Sequence, residues 1–167
     1  GRASYDYGWA VVTDQQGNVY IAGRSKENPG WGPYQTTENS YSYITPRDVP
    51  PGEPQPPPDS YYGGNDVVVS KFDPTLGQLL ASTFVGGTNG EGATAMAIEI
   101  GIEPGESDRI VVAGLTSSDD FPTTTGAFDE EHNGSSDVFV FRMNDDLSEL
   151  LDSTYVGGSH MESAFEP

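Results

Sequence analysis

The residues able to do chemistry in this 167-residue chain are mostly carboxylates, 26 Asp and Glu in all, with only two histidines and no cysteine. His132 and His160 stand 28 positions apart without a Cys companion, so a zinc site would need carboxylates brought together by the fold. Solvent-exposed histidines are the plainer expectation. No G-x-S-x-G elbow, H-E-x-x-H pair or phosphate-binding loop occurs. With this many carboxylates a glycosidase-type pair can be assembled on paper almost anywhere, so acidic pairs alone carry no diagnosis. Calcium suits hard oxygen donors in loops, and Asp119-Asp120 and Asp129-Glu130-Glu131 are its candidates. Neither follows the spaced acidic pattern of a calcium loop. Asn133-Gly134-Ser135 has the form of an N-glycosylation acceptor. The expectation is a non-enzymatic protein with no catalytic residues and no required cofactor, structural calcium excepted.

Charge narrows the partners. Seven basic residues against 26 acidic ones give a net charge of −19. That surface repels phosphate backbones, which argues against nucleic acid, and keeps the chain soluble by self-repulsion. No run of about 18 apolar residues is present to span a membrane. Without cysteine there is neither a disulfide framework nor a thiolate metal site. The start at Gly1, with no charged and apolar leader, fits a processed end or an excised fragment equally.

The elements that would carry any site come in copies. DVVVSKFDPTLGQLLASTFVGG from Asp66 and DVFVFRMNDDLSELLDSTYVGG from Asp137 align without a gap over 22 positions with 11 identities. WAVVTDQQGNVYIAG from Trp9 and TAMAIEIGIEPGESDRIVVAG from Thr94 form a second related pair. GGSHMESAFEP from Gly157 begins a third copy, matching the segment from Gly86 at Glu162 and Ala164. The organisation expected is a first repeat over 1–86 with a Pro-rich insertion at about 39–63, a second over 87–156, and the start of a third over 157–167.

Each copy reads as four strands. Valine-rich runs are separated by Asp, Gly, Asn and Pro turns, as at Asp14–Asn18 and Asp73–Gly77. The Leu79-Leu80 and Leu150-Leu151 pairs are the least decisive, since short leucine runs also suit helices. Val67, Val69, Val138 and Val140 fall on one strand face, and Val68, Phe72, Phe139, Phe141 and Met143 on the other. Apolar residues on both faces predict a sheet covered on both sides, as stacked propeller blades are. The loop from Leu115 to Ser136 is polar, with Phe121 and Phe128 as its expected anchors. In the insertion Pro50, Pro51, Pro54, Pro56, Pro57 and Pro58 favour extended chain, either a surface loop or a recognition arm. The fold class predicted is all-β, with antiparallel four-stranded propeller-type blades, two complete and a third begun.

D-x-x-G-N-V-Y-x-x-G, T-S-S-D-D-F-P-T-T-x-G-A-F, D-x-F-V-x-[KR] and L-L-x-S-T-[FY]-V-G-G together resemble the bacterial and archaeal β-propeller repeat known as the SBBP repeat. The resemblance covers nearly the whole chain outside the Pro-rich insertion. It is carried by Phe121-Pro122-Thr123-Thr124 and Gly157-Gly158, while Trp31-Gly32-Pro33-Tyr34 with Thr36-Thr37 only loosely replaces that loop in the first copy. It implies an extracellular or cell-surface scaffold or interaction role and brings no catalytic set.

Two blades do not close a propeller, and each end is expected to carry a partial blade whose continuation resembles the other end. The leading expectation is head-to-tail self-association into a surface or filamentous assembly, with Ala164 and Phe165 pairing onto the region of Tyr5, Tyr7 and Trp9 of a neighbouring copy. Alternatives are a carbohydrate-binding propeller, in which Trp9, Trp31 and loop tyrosines stack on glycans, or a non-catalytic appendage of a secreted enzyme.

Overall fold

The computed structural model describes residues 6–25, 37–38, 40–41, 64–101 and 106–158. All regular structure among them is β, and no helix there is long and apolar enough to cross a membrane. β1 (Asp6–Thr13), β2 (Val19–Ser25), β3 (Asp66–Phe72) and β4 (Leu79–Val85) form one antiparallel sheet in chain order. β5 (Glu91–Glu99), β6 (Arg109–Thr116), β7 (Asp137–Asn144) and β8 (Leu150–Val156) form a second sheet of the same order. Both leucine pairs are therefore strand. The two sheets do not close into a ring.

Short polar turns set the strand order. At Asp14–Asn18 the Asp14 carboxylate accepts from the amides of Gln16 (3.0 Å) and Asn18 (2.8 Å), holding the β1–β2 hairpin. The copies agree down to their irregularities. A bulge interrupts the first pair between Gly8 and Ala10 and again between Ala93 and Ala95. Another interrupts the last pair between Lys71 and Phe72 and again between Arg142 and Met143. Beside the first bulge the neighbouring strand comes so close that an added Cβ at Gly23 would overlap the Tyr7 carbonyl, and one at Gly114 the Gly92 carbonyl. Glycine is required at both places.

The loop between second and third strands is also repeated. Thr124 donates its amide to the Ser153 carbonyl (3.0 Å), and Ser153 returns its own amide to the Thr124 hydroxyl (3.0 Å). In the first repeat Thr37 and Ser82 exchange the same two bonds, at 3.2 and 3.0 Å. Thr37 therefore stands in for Thr124.

The core lies between the sheets. Tyr20, Ala22, Val67, Val69, Ala81 and Val85 come from the first; Ile110, Val112, Phe139, Phe141, Met143 and Tyr155 come from the second. The registers Ala22↔Val69 and Val67↔Val85, and Val112↔Phe141 and Phe139↔Tyr155, put each group on one face. Phe121 stacks on Phe139 with centroids 4.6 Å apart and closes the edge of this layer.

Two-sided cover is met by β3, whose residues Asp66 to Lys71 are all buried. It is only half met by β7, where Phe139, Phe141 and Met143 are buried but Val138, Val140 and Arg142 remain partly exposed. No described element packs on that outer face of the second sheet.

Candidate functional site

The seam between the sheets is built on the β7–β8 turn. Asn144 donates to the Glu149 carbonyl (3.2 Å) and accepts from the amides of Ser148 and Glu149 at Oδ1 (both 3.0 Å). This ring holds Leu147 at φ 60°, in the left-handed region, and points it into the first sheet, where it is fully buried. The Leu147 carbonyl accepts from the amide of Tyr41 (2.9 Å). The carbonyl of Asp145 accepts from the Tyr20 hydroxyl (3.1 Å) and the Lys71 ammonium (3.2 Å). Lys71 also faces the Asp145 carboxylate (3.5 Å) and stands 5.1 Å from the Tyr20 ring centroid. A buried ammonium needs such partners, and here one turn of the neighbouring repeat supplies most of them. Burial, helped by the nearby Asp14 carboxylate, raises the Tyr20 hydroxyl well above its usual range and keeps it a neutral donor.

Both halves of this joint occur a second time, unjoined. The β3–β4 turn repeats the ring: Asp73 donates to the Gln78 carbonyl (3.0 Å), accepts from the Gln78 amide (2.6 Å), and Leu76 adopts φ 57°. Leu76 is 62 % exposed. On the outer face of the second sheet, the registers place Val111, Val140 and Arg142 where the first sheet has Tyr20, Val69 and Lys71. Phe128 follows Thr124 as Tyr41 follows Thr37, and Ala127 bonds back to Thr124 as Ser40 does to Thr37. Phe128 is 87 % exposed, so of the two expected loop anchors only Phe121 is one. The reason is that Tyr41 is tied to a neighbouring turn through the Leu147 carbonyl, and Phe128 has no such turn beside it among the described residues. Together these residues line an open groove of about 320 Å³. Arg142 sits at its rim, paired with Glu99 (2.9 Å) and Asp152 (3.2 Å).

A buried acidic cluster lies along the same seam. Glu91, 3 % exposed, accepts from Thr116 Oγ1 (2.9 Å), Ser118 Oγ and the Gly87 amide (3.1 Å), and is hydrogen-bonded to the buried carboxyl of Asp66. Burial raises the Glu91 carboxyl above the ordinary carboxylate range, against the lowering effect of its donors. Two carboxyls can hydrogen-bond to one another only when one of them carries a proton. A Cβ at Gly86 would strike the Asp66 carboxylate, and one at Gly157 would strike Asp137 in the same way. Asp137 is the second-repeat counterpart of Asp66 and is fully buried. Its Oδ2 accepts from the Asn133 amide (2.7 Å), while Oδ1 has no hydrogen-bond partner among the described residues.

The calcium candidates serve as loop staples. Asp120 accepts from the Thr88 amide (2.8 Å) and hydroxyl (3.2 Å), Asp129 from the amide of Glu131 (3.0 Å) and the side chain of Asn133 (3.3 Å), and Glu130 from the Gly126 amide (2.7 Å). Asp119 does not join them: no three His, Cys, Asp or Glu converge among the described residues. Asn133, of the expected Asn133-Gly134-Ser135 acceptor sequence, spends its side-chain amide on Asp129 and the Glu131 carbonyl. His132 is not solvent-exposed as expected. It is half-buried and packs edge-on against Tyr155 at 5.8 Å. Tyr7 and Trp9 are exposed on β1 with ring centroids 6.3 Å apart, and the Arg24 guanidinium lies 4.8 Å from the Tyr7 ring. Tyr5, Trp31, His160, Ala164 and Phe165 lie outside the described residues, as do residues 159–167 of the third copy and most of the Pro-rich insertion.

Sequence reasoning passed over Leu147, Glu91 and the Asp66/Asp137 pair. A signal was present for two of these: the aligned repeats keep an apolar leucine inside an otherwise polar turn and an identical Asp at their first position. No known protein family matches this chain, and none of the curated proteins is similar to it.

Proposed function

We propose that this chain is a non-catalytic structural module that self-associates by laying one repeat on the next, as blades of an SBBP-type propeller or an open stack. The observation that carries this reading is the second copy of the seam: the outer face of the second sheet holds the same register positions as the covered face of the first, yet no described residue covers it and Phe128 is 87 % exposed. Exposed apolar surface of this kind marks an interaction face. A heterologous contact between copies gives rings where the rotation closes and filaments where it does not. An extracellular or cell-surface setting accords with the SBBP resemblance and with a surface of net charge −19.

Association is expected to grow with protein concentration and to strengthen between about 0.05 and 0.5 M salt, because like-charged copies repel and salt screens them. Light scattering with electron microscopy of the native assembly reads both. A uniform monomer at every salt and concentration would sink the reading.

A second reading, glycan binding, is favoured by one feature. Trp9, 56 % exposed, lines with Arg24, Asn65 and Glu91 a groove of about 380 Å³ beside the seam. An aromatic face with flanking polar groups suits a sugar ring. If this groove binds glycan, Trp9→Ala is expected to weaken array binding at least tenfold while leaving the assembly intact; equal binding by the variant refutes it.

A further inference from the structure

We infer that the open groove of the second sheet receives the β3–β4 turn of a second copy of this chain, Leu76 entering beneath Phe128 as Leu147 enters beneath Tyr41. The inference rests on the stacking reading above and adds the element that makes the contact and its direction. Within one chain the equivalent groove is already filled, and what fills it is the turn Asn144–Ser148. The first repeat owns one other turn of that construction, Asp73–Gly77, with the same hydrogen-bonded ring and a leucine at φ 57° instead of 60°.

A leucine in the left-handed region is uncommon because its Cβ crowds the backbone. At Leu147 burial compensates for this. At Leu76, 62 % exposed, nothing among the described residues does. Of the two polar contacts, the one from Lys71 has a counterpart, while Val111 stands in place of the Tyr20 hydroxyl and the contact there becomes apolar. Asp145 uses its backbone carbonyl toward Tyr20 and Lys71, and Pro74, which replaces it in the first turn, keeps that carbonyl. Arg142 replaces Lys71 as the donor, and its five N–H groups can serve Pro74 while keeping an exposed carboxylate partner at the rim. Plug and groove lie on different repeats, so the contact is head to tail and each copy offers one of each.

Two variants test this by complementation. Leu76→Asp loses the plug and keeps the groove; Phe128→Asp does the reverse. Both sites are exposed, so both variants are expected to fold, which unchanged circular dichroism and melting would verify. In sedimentation velocity the native protein is expected to pass beyond a dimer as concentration rises, while each variant alone remains at the 17.8 kDa of a single chain. Mixed in equal amounts, the variants are expected to form a heterodimer and nothing larger, since one intact plug meets one intact groove and the outer ends are both disabled. If the native protein associates and the variants alone associate equally well, copies meet elsewhere: this inference fails and the stacking reading stands. Variants that are each monomeric but do not combine would point to a symmetric contact and overturn the head-to-tail pairing. A native protein that stays monomeric to about 1 mM overturns both.

Discussion

Leu147→Ala is expected to lower the free energy of unfolding by about 2–5 kcal/mol, the range for deleting a fully buried leucine side chain whose surroundings relax only partly. Leu147 is buried in the core between the two sheets, accepts the Tyr41 amide at its carbonyl, and sits on the turn that satisfies Tyr20 and Lys71. The loss therefore falls on the seam. Leu76→Ala, the same change at the same place in the other repeat, is expected to alter the stability of a single copy by no more than about 0.5 kcal/mol, as surface substitutions do. Urea unfolding of the two variants at low protein concentration reads this contrast. Equal losses would mean that Leu147 is not the plug described here.

Stability is expected to fall as pH rises from mildly acid to neutral, and Glu91 is expected to account for much of the fall. Burial raises the folded-state carboxyl of Glu91 above its unfolded value of 4.5. The folded protein therefore holds this proton more tightly than the unfolded chain. Its stabilising contribution is complete below the unfolded value and is lost as pH rises through the higher folded one. The repulsion of 26 carboxylates acts in the same direction. Asp73 acts in the opposite sense: hydrogen bonds from Thr75 and the Gln78 amide lower its carboxyl, so what it contributes is present above the unfolded value and disappears in stronger acid. A stability maximum on the mildly acid side follows. In Glu91→Gln the amide oxygen can still accept from Thr116 and Ser118 while the amide nitrogen meets the Gly87 N–H, so the variant is expected to be less stable in mild acid and to lose the part of the decline that release of the Glu91 proton causes. Denaturation at several pH values checks it. An unchanged slope in the variant would show that Asp66 and Glu91 do not share a proton in the folded state.

The strands were legible because their signals are local. Valine-rich runs bounded by Asp, Gly and Asn turns mark β1 to β4 and β5 to β8, and the 11 identities between Asp66 and Gly158 identify the second four as a copy of the first. Less legible was which copy of a repeated residue is buried. Leu76 and Leu147 are the same residue in the same turn, one 62 % exposed and one fully buried. Val69 and Val140 differ likewise, and Tyr41 and Phe128, both aromatic at one position, end on opposite sides of that divide.

The sequence by itself determined the all-β class, the four-strand period, the places of the turns and the excess of negative charge, since each depends on a residue's own propensity or on neighbours a few positions away. Only the tertiary structure decided the seam. Leu147 meets Tyr41, Asp145 meets Tyr20 and Lys71, and Glu91 meets Asp66 because two sheets pack face to face, across separations that no local propensity reaches. The two copies set strands in the same register, but which face of a copy is covered depends on what stands beside it in space.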